Sequence, residues 1–320
     1  MWKTILRRVL IMIPQLILLS VLVFILAKMM PGDPFTGLIT PQTDPAQIAH
    51  LKAAAGLNDP WWTQYFHWVV NMFHGDLGQS YTYKRAVTGL IGERAVNTFW
   101  LALLTVVISY GIAIPFGVIA GRYEDSLRDK GIQLYTFVLL AMPSFVFYLF
   151  GLVVFGYVLQ WFPTSGYVSL NADPGTIGYW GSRLYHMILP ALVGGLVSTS
   201  GTIQYLRAGV IDNTNEDFVR TARSKGVPER VVFNRHILRN SLLPIAAFLG
   251  NSITGLLGGS IYVETIFSYQ GMGQLFVSSI TANDYSVITA LTLLFGFLTL
   301  LGNLLSDIIM SIVDPRVRVE

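Results

Sequence analysis

The 320-residue chain contains no cysteine. That excludes a disulfide framework, a thiol nucleophile and a cysteine-ligated metal. Charge is scarce as well, at 12% of residues where a soluble domain carries about 25%. There is no Gly-x-x-x-x-Gly-Lys-Ser/Thr phosphate loop, so ATP chemistry would sit on another polypeptide. A Gly-x-Ser-x-Gly nucleophile elbow is also missing, which removes the signature of one hydrolase class. The five histidines, His50, His67, His74, His186 and His236, show no metal-ligand spacing with carboxylates on one span. His67 and His74 lie two helical turns apart, too little to specify a metal site.

What fills the space is apolar: 53% of residues are hydrophobic. A spanning helix needs about 20 mostly apolar residues. Six stretches qualify, at 9–30, 97–120, 132–160, 185–206, 242–263 and 286–313. The expectation is an all-α integral membrane protein of about six transmembrane helices. The first stretch is longer than a signal-peptide core and ends in Lys28-Met29-Met30-Pro31-Gly32-Asp33, unlike a cleavage site, so it reads as a retained anchor. Trp161 and Phe162 close the third stretch as interfacial aromatics. Pro115, Pro143 and Pro190 are expected to kink their spans.

Lys and Arg distribute unevenly between the two sides these spans define. Fifteen of the 21 fall in the N-terminus, the connection after the second span, the segment 207–241 and the C-terminal tail. The positive-inside rule makes those segments cytoplasmic, with both termini inside. The basic net charge of +3 is then a topology signal and not a nucleic-acid footprint. The chain divides into residues 1–30, a cytoplasmic N-terminus with the first span; 31–96, an extracytoplasmic segment; 97–313, the transmembrane core; and 314–320, a cytoplasmic tail. Within the external segment, Trp61, Trp62, Tyr65, Phe66, Trp68, Val69 and Met72 recur at helical spacing. They suit an interfacial helix, a docking surface for an external partner, or both.

The connection 207–241 carries the most information. Asn213 or Thr214 is positioned to cap a short helix, with Glu216 and Asp217 in its first turn. Gly226 fits the left-handed position just past a helix end, and Pro228 the first turn of a second helix. Phe218, Val219 and Ala222 form a narrow apolar face, where the small Ala222 would admit a partner closely. A solvated positive loop is the plain alternative; the order helix, glycine, proline, helix favours a segment that docks into a groove.

This loop resembles the coupling loop of ATP-binding cassette (ABC) importer permeases, specifically the peptide and nickel permease subfamily. The matching residues are Asp217, Phe218, Val219, Arg220, Thr221, Ala222, Arg223, Ser224, Lys225 and Gly226, then Arg239-Asn240-Ser241-Leu242-Leu243-Pro244. The general importer pattern has Glu-Ala-Ala before the glycine; here Arg220-Thr221-Ala222 stands there, as in the peptide subfamily. Further matches follow in order: Arg7-Arg8, Ile13-Pro14, Pro31-Gly32-Asp33-Pro34, Gly56-Leu57-Asn58-Asp59-Pro60, Gln64-Tyr65, Gly75-Asp76-Leu77-Gly78 and Ser80-Tyr81. Val263-Glu264-Thr265-Ile266-Phe267, Gly271-Met272-Gly273, Asn303-Leu304-Leu305-Ser306-Asp307 and Asp314-Pro315-Arg316-Val317-Arg318 complete the series.

The resemblance, closest to the first permease subunit of an oligopeptide or dipeptide importer, implies a type I importer permease fold in a bacterial or archaeal cytoplasmic membrane. It implies a second homologous permease, two ATP-binding subunits holding ATP and Mg, and an extracytoplasmic peptide-binding protein. It implies no cofactor and no catalysis on this chain. Coupling would run through Asp217, Phe218, Arg220, Thr221, Ala222, Lys225, Gly226 and Pro228. Dipeptides, longer peptides, glutathione and nickel chelates all stay open as cargo.

Intramembrane carboxylates are functional candidates. Asp307 lies inside the sixth span and Glu264 at the outer end of the fifth; helix anchoring is the plain reading and a proton relay the other. Gly250, Gly255 and Gly259 in the fifth span, and Gly194 and Gly195 in the fourth, suit close helix packing or a pathway wall. The near absence of intramembrane charge disfavours the runner-up, an ion- or proton-driven transporter without ATPase partners, and the lack of a catalytic constellation disfavours an intramembrane enzyme.

Overall fold

The computed structural model describes residues 2–29, 59–257 and 261–313. The motifs at 31–34, 56–58, 258–260 (Gly259 among them) and 314–318 lie outside the described residues. Among those described there is no β-strand, only one isolated bridge between Gln79 and Ala86.

Helix α1 (Trp2–Met29) is followed by α2 (Trp61–Phe73), α3 (Val87–Arg122) and α4 (Leu127–Ala141). Then come α5 (Ser144–Gly151), continued by wider π-helical turns over Leu152–Val158, and α6 (Ile177–Thr214). Four helices, α1, α3, α6 and the last, are long and apolar enough to cross a membrane singly. The third expected stretch is not one rod. Residues 127–141 and 144–158 meet at 100°. The cause is Pro143, which forces Met142 before it into the extended region, at φ −110°, ψ 141°. Pro14, Pro115 and Pro190 sit inside continuous helices.

The second and fourth spans are longer than hydropathy alone marks, because their ends are polar but still helical. α3 begins at Val87, ten residues inside the segment expected to be external, and α6 continues to Thr214, well into the loop that follows it. The fifth stretch begins as expected with α10 (Leu243–Leu257), and α11 (Ile261–Ile266) follows. A turn leads to α12 (Met272–Thr281) and the last span, α13 (Tyr285–Val313).

The core is the long seam between α3 and α6. Small residues set its closeness: Gly117 and Gly121 receive Leu206 and Val210, and Gly195 receives Ile108. In lipid there is no hydrophobic drive between apolar helices, so close backbone approach supplies the attraction. A second seam joins α10 to α13. There a Cβ on Gly250 would lie 2.5 Å from Ser306 N, whereas one on Gly255 would meet nothing within 4 Å. The two glycines, expected to act alike, therefore differ. Gly250→Ala should destabilise the protein by about 1–3 kcal/mol through overpacking, and Gly255→Ala should leave the melting temperature in detergent unchanged. Equal melting temperatures for the two variants would contradict this packing.

α1 lies on α13, with Ser20 and Val23 buried and Leu10, Leu18 and Leu26 exposed. Arg8 Nε reaches Asp307 Oδ2 at 2.8 Å. The start of α1 and the end of α13 thus share one side of the molecule, and Asp307 anchors a neighbouring helix. At the other end of α1, Phe24 stacks with Tyr65 and Trp68 of α2, and Ser20 Oγ bonds Tyr65 Oη at 2.8 Å. The stripe of α2 is thereby split: Tyr65 and Trp68 face α1, while Trp61, Trp62, Phe66 and Phe73 stay exposed.

Candidate functional site

The loop after α6 folds as a compact, polar-surfaced unit. Asn213 and Thr214 do not cap its first helix. They end α6, Asn213 Nδ2 donating to Gly209 O at 2.7 Å and Thr214 Oγ1 to Val210 O at 2.6 Å. Glu216 takes the N-cap position of α7 (Asp217–Ser224) with no side-chain cap bond. Gly226 lies just past the helix end with φ +73°. Gly226 N donates to Arg223 O at 2.9 Å and Val227 N to Ala222 O at 3.2 Å. That bond pair is the Schellman termination, and its left-handed residue favours glycine. Pro228 caps the next turn, α8 (Glu229–Val231), one position earlier than expected. Wider π-helical turns over Val232–Ile237 and the short α9 (Leu238–Ser241) then lead into α10.

The apolar face of α7 is narrower than expected, and it faces inward. Val219 and Ala222 are buried in one cluster with Leu206, Val210, Val232, Phe233 and Ile237. Ala222 is therefore packed into this chain's own core, and Phe218 stands apart at 37% exposed. Asp217, Phe218, Arg220, Thr221, Lys225 and Gly226 remain on the surface. The unit is braced from outside by Arg223, whose Nε and Nη2 bond Glu229 at 3.1 and 2.8 Å. The Arg223 guanidinium holds the Glu229 carboxyl below its ordinary pKa. From α3, Arg122 lies 4.5 Å over the Phe233 ring. What results is a short helix packed on the turns over Val232–Ile237 and sharing a buried cluster with α6, presenting an aromatic ring among mixed charges.

Where α6 leaves the bundle, Arg207 donates to both oxygens of Asp129 on α4, at 2.8 and 2.7 Å. Asp129 is buried and also accepts from Asp125 N at 3.0 Å, while Ser126 Oγ accepts from Asp129 N at 3.3 Å. This pair was not legible as a pair. The Ser126-Leu127-Arg128-Asp129 spacing signals a helix start but says nothing of Arg207.

At the opposite end, Glu264 is fully buried. Its Oε1 accepts from Thr98 Oγ1 at 2.8 Å, and its Oε2 from Gly273 N at 2.7 Å and Gln274 N at 3.1 Å. The carboxyl group thus holds the first turn of α12, where a helix leaves its N–H groups unsatisfied. Thr98 Oγ1 also accepts from Met272 N at 2.8 Å. Beside it, Asn97 Nδ2 donates to Gln270 O at 2.8 Å, and Arg183 Nη2 to Asn97 Oδ1 at 2.7 Å. Anchoring is the role of Glu264 that these bonds describe. A further buried carboxylate, Asp284, accepts from Ser80 Oγ and from Thr82 N at 3.2 Å, tying the segment before α3 to the start of α13. Among the described residues no three His, Cys, Asp or Glu side chains group as metal ligands.

The sequence matches two family models: an inner membrane component of binding-protein-dependent transport systems over residues 113–319, and the N-terminal part of such a membrane component over residues 1–102. It is 40% identical over 315 residues, 98% of each chain, to the oligopeptide transport system permease protein AppB of Bacillus subtilis (strain 168). It is 34% identical over 318 residues, 99% of each chain, to the glutathione transport system permease protein GsiC of Shigella flexneri serotype 5b. Among solved structures, one of an amino acid ABC transporter with histidines superposes with a TM-score of 0.51 at 16% identity. It covers 72% of this chain and 94% of that one, a likeness of fold alone.

Proposed function

The chain belongs to the family of inner membrane components of binding-protein-dependent transport systems, and from that premise we infer that it is a permease subunit of an ABC importer for oligopeptides or dipeptides. Family membership favours this reading over an ion- or proton-driven transporter. The cargo class follows the transport functions in the names of its relatives, and glutathione, itself a small peptide, falls within it.

We propose that the chain forms half of the translocation pathway beside a second, homologous permease. Two ATP-binding subunits, carrying ATP and Mg, would dock on the loop after α6, and a peptide-binding protein would deliver cargo on the other side. Both termini would lie in the cytoplasm with that loop; the Arg8–Asp307 contact and the basic residues of the loop support this orientation. The observation that carries the reading is α7. It is braced through Val219, Ala222 and the Arg223–Glu229 pair, so a push on its exposed face moves the ends of α3 and α6 with it.

The test is a mild detergent pull-down from the native host, followed by an ATPase assay. A second permease, ATP-binding subunits and a peptide-binding protein should be retained. Two variants locate the contact. Phe218→Asp changes an exposed ring without touching the core. Gly226→Pro removes the N–H bonded to Arg223 and fixes φ near −65° where +73° is needed. Each should cut peptide uptake about tenfold or more, equivalent to the loss of about 1.4 kcal/mol of coupling, with the chain still inserted in the membrane. Full uptake and full retention of ATPase subunits by both would overturn the docking role of α7.

A further inference from the structure

The reading above leaves open what the cargo touches inside the membrane. α3, α6 and α10 converge on a groove with a volume of about 250 Å³. Its walls carry Ser109, Tyr110, Ser198, Thr202 and Ser252, with Gly255 at its open edge. Among the described residues no Asp, Glu, Lys or Arg lines it.

Depth makes the composition unusual. Tyr110 is twelve residues from Arg122 on α3, and Ser198 nine residues from Arg207 on α6. At 1.5 Å per residue the groove is about 14–18 Å inside those flanking cations, near the middle of a hydrocarbon core of about 30 Å. Five hydroxyl side chains converging at that depth do not suit lipid; polar groups there face a partner or a water-filled cavity. Three of the five have already used their donors. Ser198 Oγ donates to Gly194 O at 2.8 Å, and Ser252 Oγ donates to Phe248 O at 2.9 Å. Tyr110 Oη then donates to Ser252 Oγ across 2.8 Å. Each hydroxyl has one donor and two acceptor lone pairs. With these donors already used, what Ser198 and Tyr110 offer to the groove is acceptor capacity. At Gly255 no described atom lies within 4 Å of where a Cβ would be.

We propose that this groove lines the translocation pathway and receives the main chain of the peptide, its N–H groups donating to the hydroxyls. A wall of neutral hydroxyls, with acceptors free at Ser198 and Tyr110, binds what all peptides share. It neither attracts nor rejects a charged side chain, so passage here is indifferent to peptide sequence. This inference rests on the importer reading.

The absence of native cysteine permits a direct test on the assembled importer in proteoliposomes. Ser252→Cys and Ser198→Cys are compared with Val107→Cys, which lies on α3 and is 60% exposed but outside the groove. A charged methanethiosulfonate reacts with the hydrated thiolate, so the groove positions should label about tenfold faster or more. Labelling of Ser252→Cys no faster than Val107→Cys, both with ATP and without it, would overturn the proposal. Uptake supplies the second measurement. Ser198→Ala should lower transport of Ala-Ala-Ala, Ala-Lys-Ala and Ala-Glu-Ala by a common factor of about two- to tenfold, as one lost hydrogen-bonding site predicts. Unchanged uptake, or a change confined to one charge class, would also overturn it. Failure of the importer reading looks different: the purified chain then retains no ATPase subunits, and uptake is independent of ATP.

Discussion

Glu264→Ala is expected to lower the melting temperature in detergent by several degrees and to reduce the amount of inserted protein. The side chain is fully buried and accepts three hydrogen bonds, from Thr98 Oγ1, Gly273 N and Gln274 N. Truncation strands all three donors away from water, at about 1–3 kcal/mol each, and leaves a cavity besides. A loss of about 3 kcal/mol or more is a large share of a stability that is typically about 5–15 kcal/mol. Glu264→Gln should fall between wild type and alanine, because its oxygen can still accept from Gly273 N and Gln274 N while its NH2 group turns to Thr98 Oγ1, whose hydroxyl must reorient to accept. Wild-type melting and abundance in Glu264→Ala would show that the turn between α11 and α12 is held by something else.

The second large effect is expected at Asp129. Asp129→Ala leaves the Arg207 guanidinium, 22% exposed, facing a site from which its only carboxylate partner among the described residues has gone. Breaking a buried pair in this way costs about 3–5 kcal/mol, and partial access of water to Arg207 places the effect at about the lower end. Removing both charges should be far milder than removing one: Asp129→Leu with Arg207→Met should recover most of the lost stability. A double-mutant cycle on thermal unfolding measures the coupling. If the double variant is as unstable as Asp129→Ala alone, the pair does not hold α4 to α6. The pair sits on α6 seven residues before its end, so under the proposed coupling role of α7 its loss should lower peptide uptake as well as stability.

Several features of the loop were legible in advance because they are local. Gly226 terminates a helix at a positive φ, an event confined to a few neighbouring residues. Pro143 breaks the third stretch because a proline constrains the residue before it. The inward turn of Ala222 was missed. An alanine beside charged residues reads equally as core or as surface, and only the presence of Val232 and Phe233 against it decides the matter. Gly250 and Gly255 look alike along the chain; one meets Ser306, the other opens on a groove.

By itself, the sequence determined that the chain enters the membrane repeatedly, where its basic segments fall, and that the stretch after the fourth span is a structured helix–glycine–proline–helix element. These follow from hydropathy, charge and backbone preference, each acting over at most a few tens of residues. The tertiary structure alone decided which buried polar groups meet. Thr98 and Glu264 are 166 residues apart, Ser80 and Asp284 204 apart, Asp129 and Arg207 78 apart. Helix faces turned to lipid and to protein are both apolar, so no hydropathy pattern says which spans are neighbours. Only their packing brings each carboxylate to the donors it binds.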